Sequence, residues 1–100
     1  MTSPTPARLV DTVHAGAGGA TTIDVGVITG DLTIATTDLH NGTAAVDVQY
    51  LDADEWYTLQ GSPAPLPRTG LAGLHEEVLR AVRAGGGATV GGDGATGEMC

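Results

Sequence analysis

The sequence predicts an α+β fold, a four-stranded antiparallel β-meander with a C-terminal helix packed on one face. Three observations support this class: apolar and polar residues alternate over residues 20–60, apolar residues recur at helical spacing over residues 70–84, and glycine-containing turns separate the alternating runs. The chain has 100 residues, 41% of them hydrophobic, which suffices for one core. We therefore expect a single domain over residues 1–90 and a flexible glycine-rich tail over residues 91–100.

The N-terminal segment fits either a helix or a strand. The Thr-Pro pair at residues 5–6 is typical of a helix start, because threonine caps free N–H groups and proline suits the first helical position. Leu9, Val10 and Val13 then fit one face of a helix, although the same residues could make a fifth strand. We predict a short N-terminal helix that ends at the glycine cluster of residues 15–19.

Four alternating runs predict the strands of the meander, at residues 22–27, 32–35, 46–50 and 56–59. A change of one residue in the pairing of two strands would turn an apolar face towards solvent. We therefore choose the loop lengths that keep the apolar residues of neighbouring strands on the same face. The resulting core face has two rows: Val27, Leu32, Tyr50 and Tyr57 in the first, and Val25, Ile34, Val48 and Leu59 in the second.

The loop between the second and third strands can be chosen on this basis. A two-residue turn at residues 41–42 would place Ile34 beside Asp47, which buries a carboxylate among apolar side chains. A three-residue loop over residues 40–42 pairs Ile34 with Val48 instead. We predict the longer loop, with Gly42 in the left-handed conformation.

A C-terminal helix provides the cover for the core face. Its apolar residues fall on one side, with glutamates and arginines on the other, and they are Leu71, Leu74, Val78, Leu79 and Val82. Thr69 is expected at the N-cap, and the glycines of residues 85–87 end the helix. The proline-rich residues 62–67 are expected to cross from the sheet edge over the core face.

The charge of the chain is concentrated in the predicted sheet. Twelve acids, four arginines and no lysine give a net charge of −8. Residues 9–67 contain eight acids and no arginine or lysine, so this stretch carries the whole net charge. Nucleic acids and anionic membranes bind clustered cations, and we therefore expect neither as a partner.

The sequence contains no motif for catalysis or for a cofactor. The absence of lysine excludes a P-loop and Schiff-base chemistry. His14, His40 and His75 lack the spacing of zinc ligands, and neither serine has the surroundings of a catalytic nucleophile. We predict no cofactor, no metal site and no enzymatic activity.

The expected compartment is the cytoplasm. Cys100 is the single cysteine, so no intramolecular disulfide can form. Residues 1–6 lack a signal-peptide pattern, and no apolar run is long enough to span a bilayer. The bias towards alanine, glycine and arginine without lysine is typical of a GC-rich bacterial genome.

One surface has the composition of a binding site. Trp56 is expected on the open face of the meander beside Leu51 and Ile28, surrounded by three aspartates, Asp24, Asp31 and Asp47. An aromatic anchor with a charged rim is typical of protein interfaces. The sequence predicts a binding module for a basic protein, of the immunity, antitoxin, chaperone or regulator-sequestering type. Alternatively, the N-terminal segment or the proline-rich crossing covers Trp56 as a second small core.

The sequence is compatible with two other functions. The acidic turn formed by Asp52, Asp54 and Glu55 could hold a metal ion in an accessory domain or small enzyme. Edge strands could instead pair between copies, in a homodimer or in a structural subunit of a homo-oligomeric assembly.

Overall fold

The computed structural model describes residues 8–90, which form seven strands and one helix. In chain order they are β1 (Arg8–His14), β2 (Ala20–Thr22), β3 (Gly26–Ile28), β4 (Asp31–Asp38), β5 (Thr43–Tyr50), β6 (Tyr57–Thr58), β7 (Ala64–Pro65) and α1 (Gly70–Ala84). The predicted tail over residues 91–100 and the Thr-Pro pair at residues 5–6 lie outside the described residues.

An antiparallel sheet with one helix on it confirms the α+β class. β1, β4, β5 and β6 lie side by side in that order, and β7 pairs with β5. α1 packs against β1 and β4. The core between helix and sheet contains completely buried aliphatic residues from three elements, including Ile34, Val48 and Val82.

The N-terminal segment is a strand, so the predicted short helix is wrong. β1 pairs with β4 along its whole length, with Leu9 opposite Thr36 and Val13 opposite Leu32. It occupies the sheet edge that we expected residues 22–27 to fill. Pairing along seven residues outweighs the helix start signal, because local propensity is a weak preference that tertiary contacts override.

The segment of residues 20–28 forms a separate hairpin, β2–β3, and the apolar residues that we predicted to face inward are exposed. Ile23, Val25 and Val27 are 63%, 54% and 55% exposed, whereas Ala20 and Ile28 are buried. A turn over residues 23–25 breaks the strand that we predicted over residues 22–27, and residues 23–27 are all exposed instead of alternating. Ala20 bridges Ala88, and its small side chain permits this close approach.

The pairing of β4 with β5 confirms the predicted register. Ile34 lies opposite Val48, and Gly42 is left-handed with φ of 90°. In the next pair, Tyr57 lies opposite Val48, two positions from the predicted partner Tyr50. A displacement of two residues keeps every side chain on its predicted face. The two tyrosine rings still meet edge to face, 6.5 Å apart.

The predicted ends of α1 are confirmed, whereas the predicted path of the proline-rich segment is wrong. Thr69 occupies the N-cap without a side-chain capping bond, and Gly85 ends the helix with φ of 80°. Residues 62–67 do not cross the core face. Ala64 of β7 pairs with Ala44 instead, so this segment extends the sheet beside β6.

Two glycine-rich connectors pack backbone against backbone. The N–H of Gly86 donates to the Ala17 carbonyl at 2.7 Å, and the N–H of Gly87 donates to the Gly18 carbonyl at 2.9 Å. A Cβ atom on Gly16 or Gly85 would overlap the opposite backbone. The connector after β1 is therefore joined to the end of α1, where only glycine permits such proximity.

Candidate functional site

The face of the sheet opposite α1 is the candidate functional site, and we call it the open face. The register of the strands places these residues on it: Arg8, Val10, Thr12, Thr33, Ala35, Asp47, Gln49 and Thr58. Val10 is 46% exposed. Small and polar side chains predominate here, as expected for a sheet face that no helix covers.

Trp56 lies on the open face immediately before β6, and it is 37% exposed. The guanidinium carbon of Arg8 lies 5.2 Å from the centroid of the Trp56 ring, within the range of a cation–π interaction. β1 and β6 form opposite edges of this four-strand row, so the Arg8 side chain reaches across the open face. The small residue Ala35, which is completely buried, occupies the middle of that face.

Asp47 lies near the centre of the open face, opposite Thr58 on β6. Burial raises the pKa of the Asp47 carboxyl above its ordinary value, the positive charge of Arg8 opposes this rise, and the negative charge of Asp24 adds to it. Asp47 is therefore a half-buried carboxylate within electrostatic range of one arginine and one other carboxylate.

Asp24 is positioned by a backbone contact. Its Oδ1 atom accepts a hydrogen bond of 2.8 Å from the N–H of Thr58. The Ile23 N–H donates to the Thr58 carbonyl at 2.9 Å, so the β2–β3 hairpin is held beside β6. These two bonds place the Asp24 carboxylate next to the open face.

The remaining predicted site residues have different positions. Leu51 is 44% exposed, and its N–H donates to the Asp31 carbonyl at 3.0 Å, so the two lie together at one end of the sheet. Asp31 also pairs with His14, with 2.7 Å between Oδ1 and Nδ1. Ile28 is only 3% exposed and belongs to the hydrophobic core. Its predicted place beside Trp56 is wrong, because residues 23–25 form a turn and β3 leads Ile28 back into the core.

The structure thus brings Trp56, Asp24 and Asp47 together and adds Arg8, which the sequence did not indicate. Arg8 was missed because residues 8–14 were assigned to a helix rather than to the edge strand. The available signal was the β-branched residues Val10, Thr12 and Val13, which favour a strand over a helix.

The acidic turn does not assemble a metal site within the described residues. No group of three histidine, cysteine, aspartate or glutamate side chains in residues 8–90 could hold one ion together. Glu55 instead accepts a hydrogen bond of 3.4 Å from the hydroxyl of Tyr57. Partial burial, together with the charge of Glu55 and this bond, raises the pKa of Tyr57.

A second polar cluster lies between α1 and the sheet. His75 is 2% exposed; its Nδ1 atom lies 2.8 Å from Oγ1 of Thr36, and its Nε2 atom lies 2.7 Å from Oδ2 of Asp11. The order of these contacts, threonine to histidine to aspartate, is that of the nucleophile, base and acid in a catalytic triad. The Thr36 hydroxyl is completely buried, so no substrate can reach it, and the cluster is a structural link. His75 shares the helix face of Leu74, Val78 and Leu79, which could have indicated its burial.

A depression at the C-terminal end of α1 offers no chemistry. It is lined by alanines, glycines and one threonine over residues 81–89, without an ionisable side chain.

No protein-family model matches this chain, and neither a curated protein nor a solved structure was found to match it. Within residues 8–90, no helix is long and apolar enough to cross a membrane.

Proposed function

We propose that this protein is a non-enzymatic binding module that recognises a basic protein segment through the open face, with Trp56 as the anchor. The observation that carries the proposal is the arginine that lies over Trp56, next to Asp47. The site thus accommodates a cation on an aromatic ring beside carboxylates. Aromatic anchors with charged surroundings are typical of interaction surfaces.

The distribution of charge supports a basic partner. The whole net charge of −8 resides in residues 9–67, which include β4, β5 and β6. A concentrated negative charge accelerates association with a positive protein and disfavours acidic ones. The partner we propose is a basic toxin, effector or regulator that the protein neutralises, escorts or sequesters. We place this activity in the cytoplasm, a reducing compartment in which disulfides are rare, because a chain with one cysteine forms no intramolecular disulfide.

Calorimetric titration with matched peptides tests the proposal. The probes are a peptide containing lysine and arginine, and an acidic peptide of the same length. The wild-type protein is expected to bind the basic peptide alone, with an affinity that falls as salt increases, because exposed charges are screened. Trp56→Ala should abolish binding while a circular dichroism spectrum shows an intact fold.

Leu39→Ala is the matched control, because Leu39 is a similarly exposed apolar residue, at 42%, in the loop between β4 and β5. It should bind the basic peptide as the wild type does. Equal binding of both peptides, or an affinity independent of salt, would contradict the proposal.

Self-association is a second candidate, favoured by the β2–β3 hairpin. Ile23, Val25 and Val27 present three exposed β-branched side chains, and β3 pairs only with β2 among the described strands. Exposed apolar edge strands favour pairing between copies. Light scattering over a range of concentrations, with reductant present, measures the mass; Val27→Lys should abolish any dimer, whereas a concentration-independent monomer mass excludes this candidate.

A further inference from the structure

We propose that the open face contains a binding site for a guanidinium group, which Arg8 fills in the free protein and an arginine of the partner fills in the complex. This inference depends on the proposed function and specifies its ligand chemistry. The site consists of the Trp56 ring, the Asp47 carboxylate and the Asp24 carboxylate. Arg8 then acts as a competitor within the same chain.

The Trp56 ring favours arginine over lysine. A guanidinium is planar and weakly hydrated, so it stacks on an indole face, whereas an ammonium is compact and strongly hydrated. Arg8 shows that the approach to the ring is wide enough for this group, since its guanidinium carbon lies 5.2 Å from the ring centroid.

Arg8 uses only part of the site. Among residues 8–90 the ion pairs involve histidines, and no arginine makes one with a carboxylate. Within the same residues Asp47 has no hydrogen-bond partner for its side chain. A half-buried carboxylate without a donor is costly, and burial raises its pKa accordingly. An incoming arginine that stacks on Trp56 and also donates to Asp47 would add a charge-assisted bond that Arg8 lacks.

Asp24 contributes a fixed second carboxylate. Its Oδ1 atom accepts the Thr58 N–H at 2.8 Å, which holds the side chain in place before any ligand arrives. Such a preorganised group loses little conformational entropy on binding. The negative charge of Asp24 raises the pKa of the Asp47 carboxyl, so a cation that contacts both carboxylates relieves their repulsion.

Occupation by Arg8 lowers the apparent affinity for a partner, because only the fraction of molecules with an open site can bind. Removal of Arg8 should therefore strengthen binding. A cation–π contact at an exposed site corresponds to about a two- to fivefold change in the equilibrium, which sets the expected size of the effect.

The experiment uses three peptides that differ only at their basic positions, which carry arginine, lysine or neutral citrulline. The fluorescence of Trp56, the single tryptophan of the chain, reports binding. The arginine peptide is expected to bind about two- to fivefold more tightly than the lysine peptide, and the citrulline peptide should not bind. Asp47→Asn should remove the preference for arginine over lysine.

Arg8→Ala is expected to bind the arginine peptide about two- to fivefold more tightly than the wild type. Arg8→Met, which retains an apolar stem, serves as a second variant if the alanine variant is unstable. Arg80→Ala is the matched control, because it removes the same charge from an exposed position on α1, and it should bind as the wild type does.

The possible failures are distinct. If the arginine and lysine peptides bind equally tightly and both lose binding with Trp56→Ala, measured by calorimetry, the basic-partner function stands and the guanidinium site is overturned. If Arg8→Ala and Arg80→Ala change the affinity equally, the competition by Arg8 is overturned. If neither peptide binds the wild type or Arg8→Ala, both proposals are overturned.

Discussion

The Nε2 atom of His75 lies 2.7 Å from the Oδ2 atom of Asp11, and this contact joins the helix α1 to the edge strand β1. The other ring nitrogen meets the buried hydroxyl of Thr36 on β4. With the proton on Nε2, the imidazole donates to the carboxylate and accepts from the threonine. One side chain therefore links the helix to two neighbouring strands.

Replacement of His75 by leucine should destabilise the fold. The Thr36 hydroxyl is completely buried, so loss of its partner costs about 1–3 kcal/mol of unfolding free energy. Urea unfolding measures this change. His14→Leu is the matched control, because His14 also lies 2.7 Å from an aspartate oxygen, but its side chain is 76% exposed. It should change the free energy by at most about 0.5 kcal/mol. Equal losses in the two variants would show that burial does not distinguish them.

The packing of the two glycine connectors predicts a large cost for alanine at Gly85. Gly85 and Gly30 both have a positive φ, of 80° and 92°, which strains alanine at either position, and the ψ of −146° at Gly85 lies in a region that glycine alone adopts readily. A Cβ atom would contact nothing at Gly30, but it would overlap the Ala17 carbonyl at Gly85. Gly85→Ala should therefore lose about 1–3 kcal/mol more than Gly30→Ala in thermal or urea unfolding. Equal losses of unfolding free energy in the two variants would mean that the connectors can move apart to admit the Cβ atom without loss of stability.

The central pair of strands and the helix were predictable because local signals agreed with tertiary packing. The left-handed Gly42 and the apolar faces of β4 and β5 select one register, in which Ile34 meets Val48. The helical spacing of Leu74, Val78 and Val82 similarly defines the buried face of α1. At these positions the turn, the residue pattern and the core favour the same arrangement.

The N-terminal half was not predictable in the same way, because two segments compete for one edge of β4. Residues 8–14 and residues 22–27 are both rich in β-branched residues. Such a composition indicates a strand but not its partner, and the pairing of β1 with β4 depends on contacts distant in sequence. The error moved Ile28 to the wrong surface and left Arg8 out of the candidate site.

The raised pKa of Asp47 predicts a pH-dependent difference between the wild type and Asp47→Asn. The folded state favours the neutral carboxyl, so the associated stability is fully present below the ordinary value of 3.8 and is lost as the pH rises through the raised pKa. Asparagine stays neutral throughout. The variant should thus gain stability relative to the wild type towards neutral pH, and this gain should shrink as the pH falls below the raised value.

Urea unfolding from about pH 3 to pH 7 measures this difference. Asp52→Asn removes the same charge from an exposed turn, where asparagine accommodates the left-handed φ of 68°, and it controls for net charge. A gain that is constant across this pH range, or equal to that of Asp52→Asn, would contradict the assigned burial effect.

A double-mutant cycle tests the contact between Arg8 and Trp56 in the free protein. Arg8→Ala and Trp56→Ala each remove the contact, so the losses should not add, and the coupling energy should be about 0.5–1 kcal/mol. The cycle is measured by urea unfolding at low and at high salt. A cycle of Arg80→Ala with Trp56→Ala, which share no contact in the structure, should show no coupling. If the first cycle also shows none, the guanidinium does not rest on the ring in solution. Removal of Arg8 would then leave the affinity for an arginine peptide unchanged.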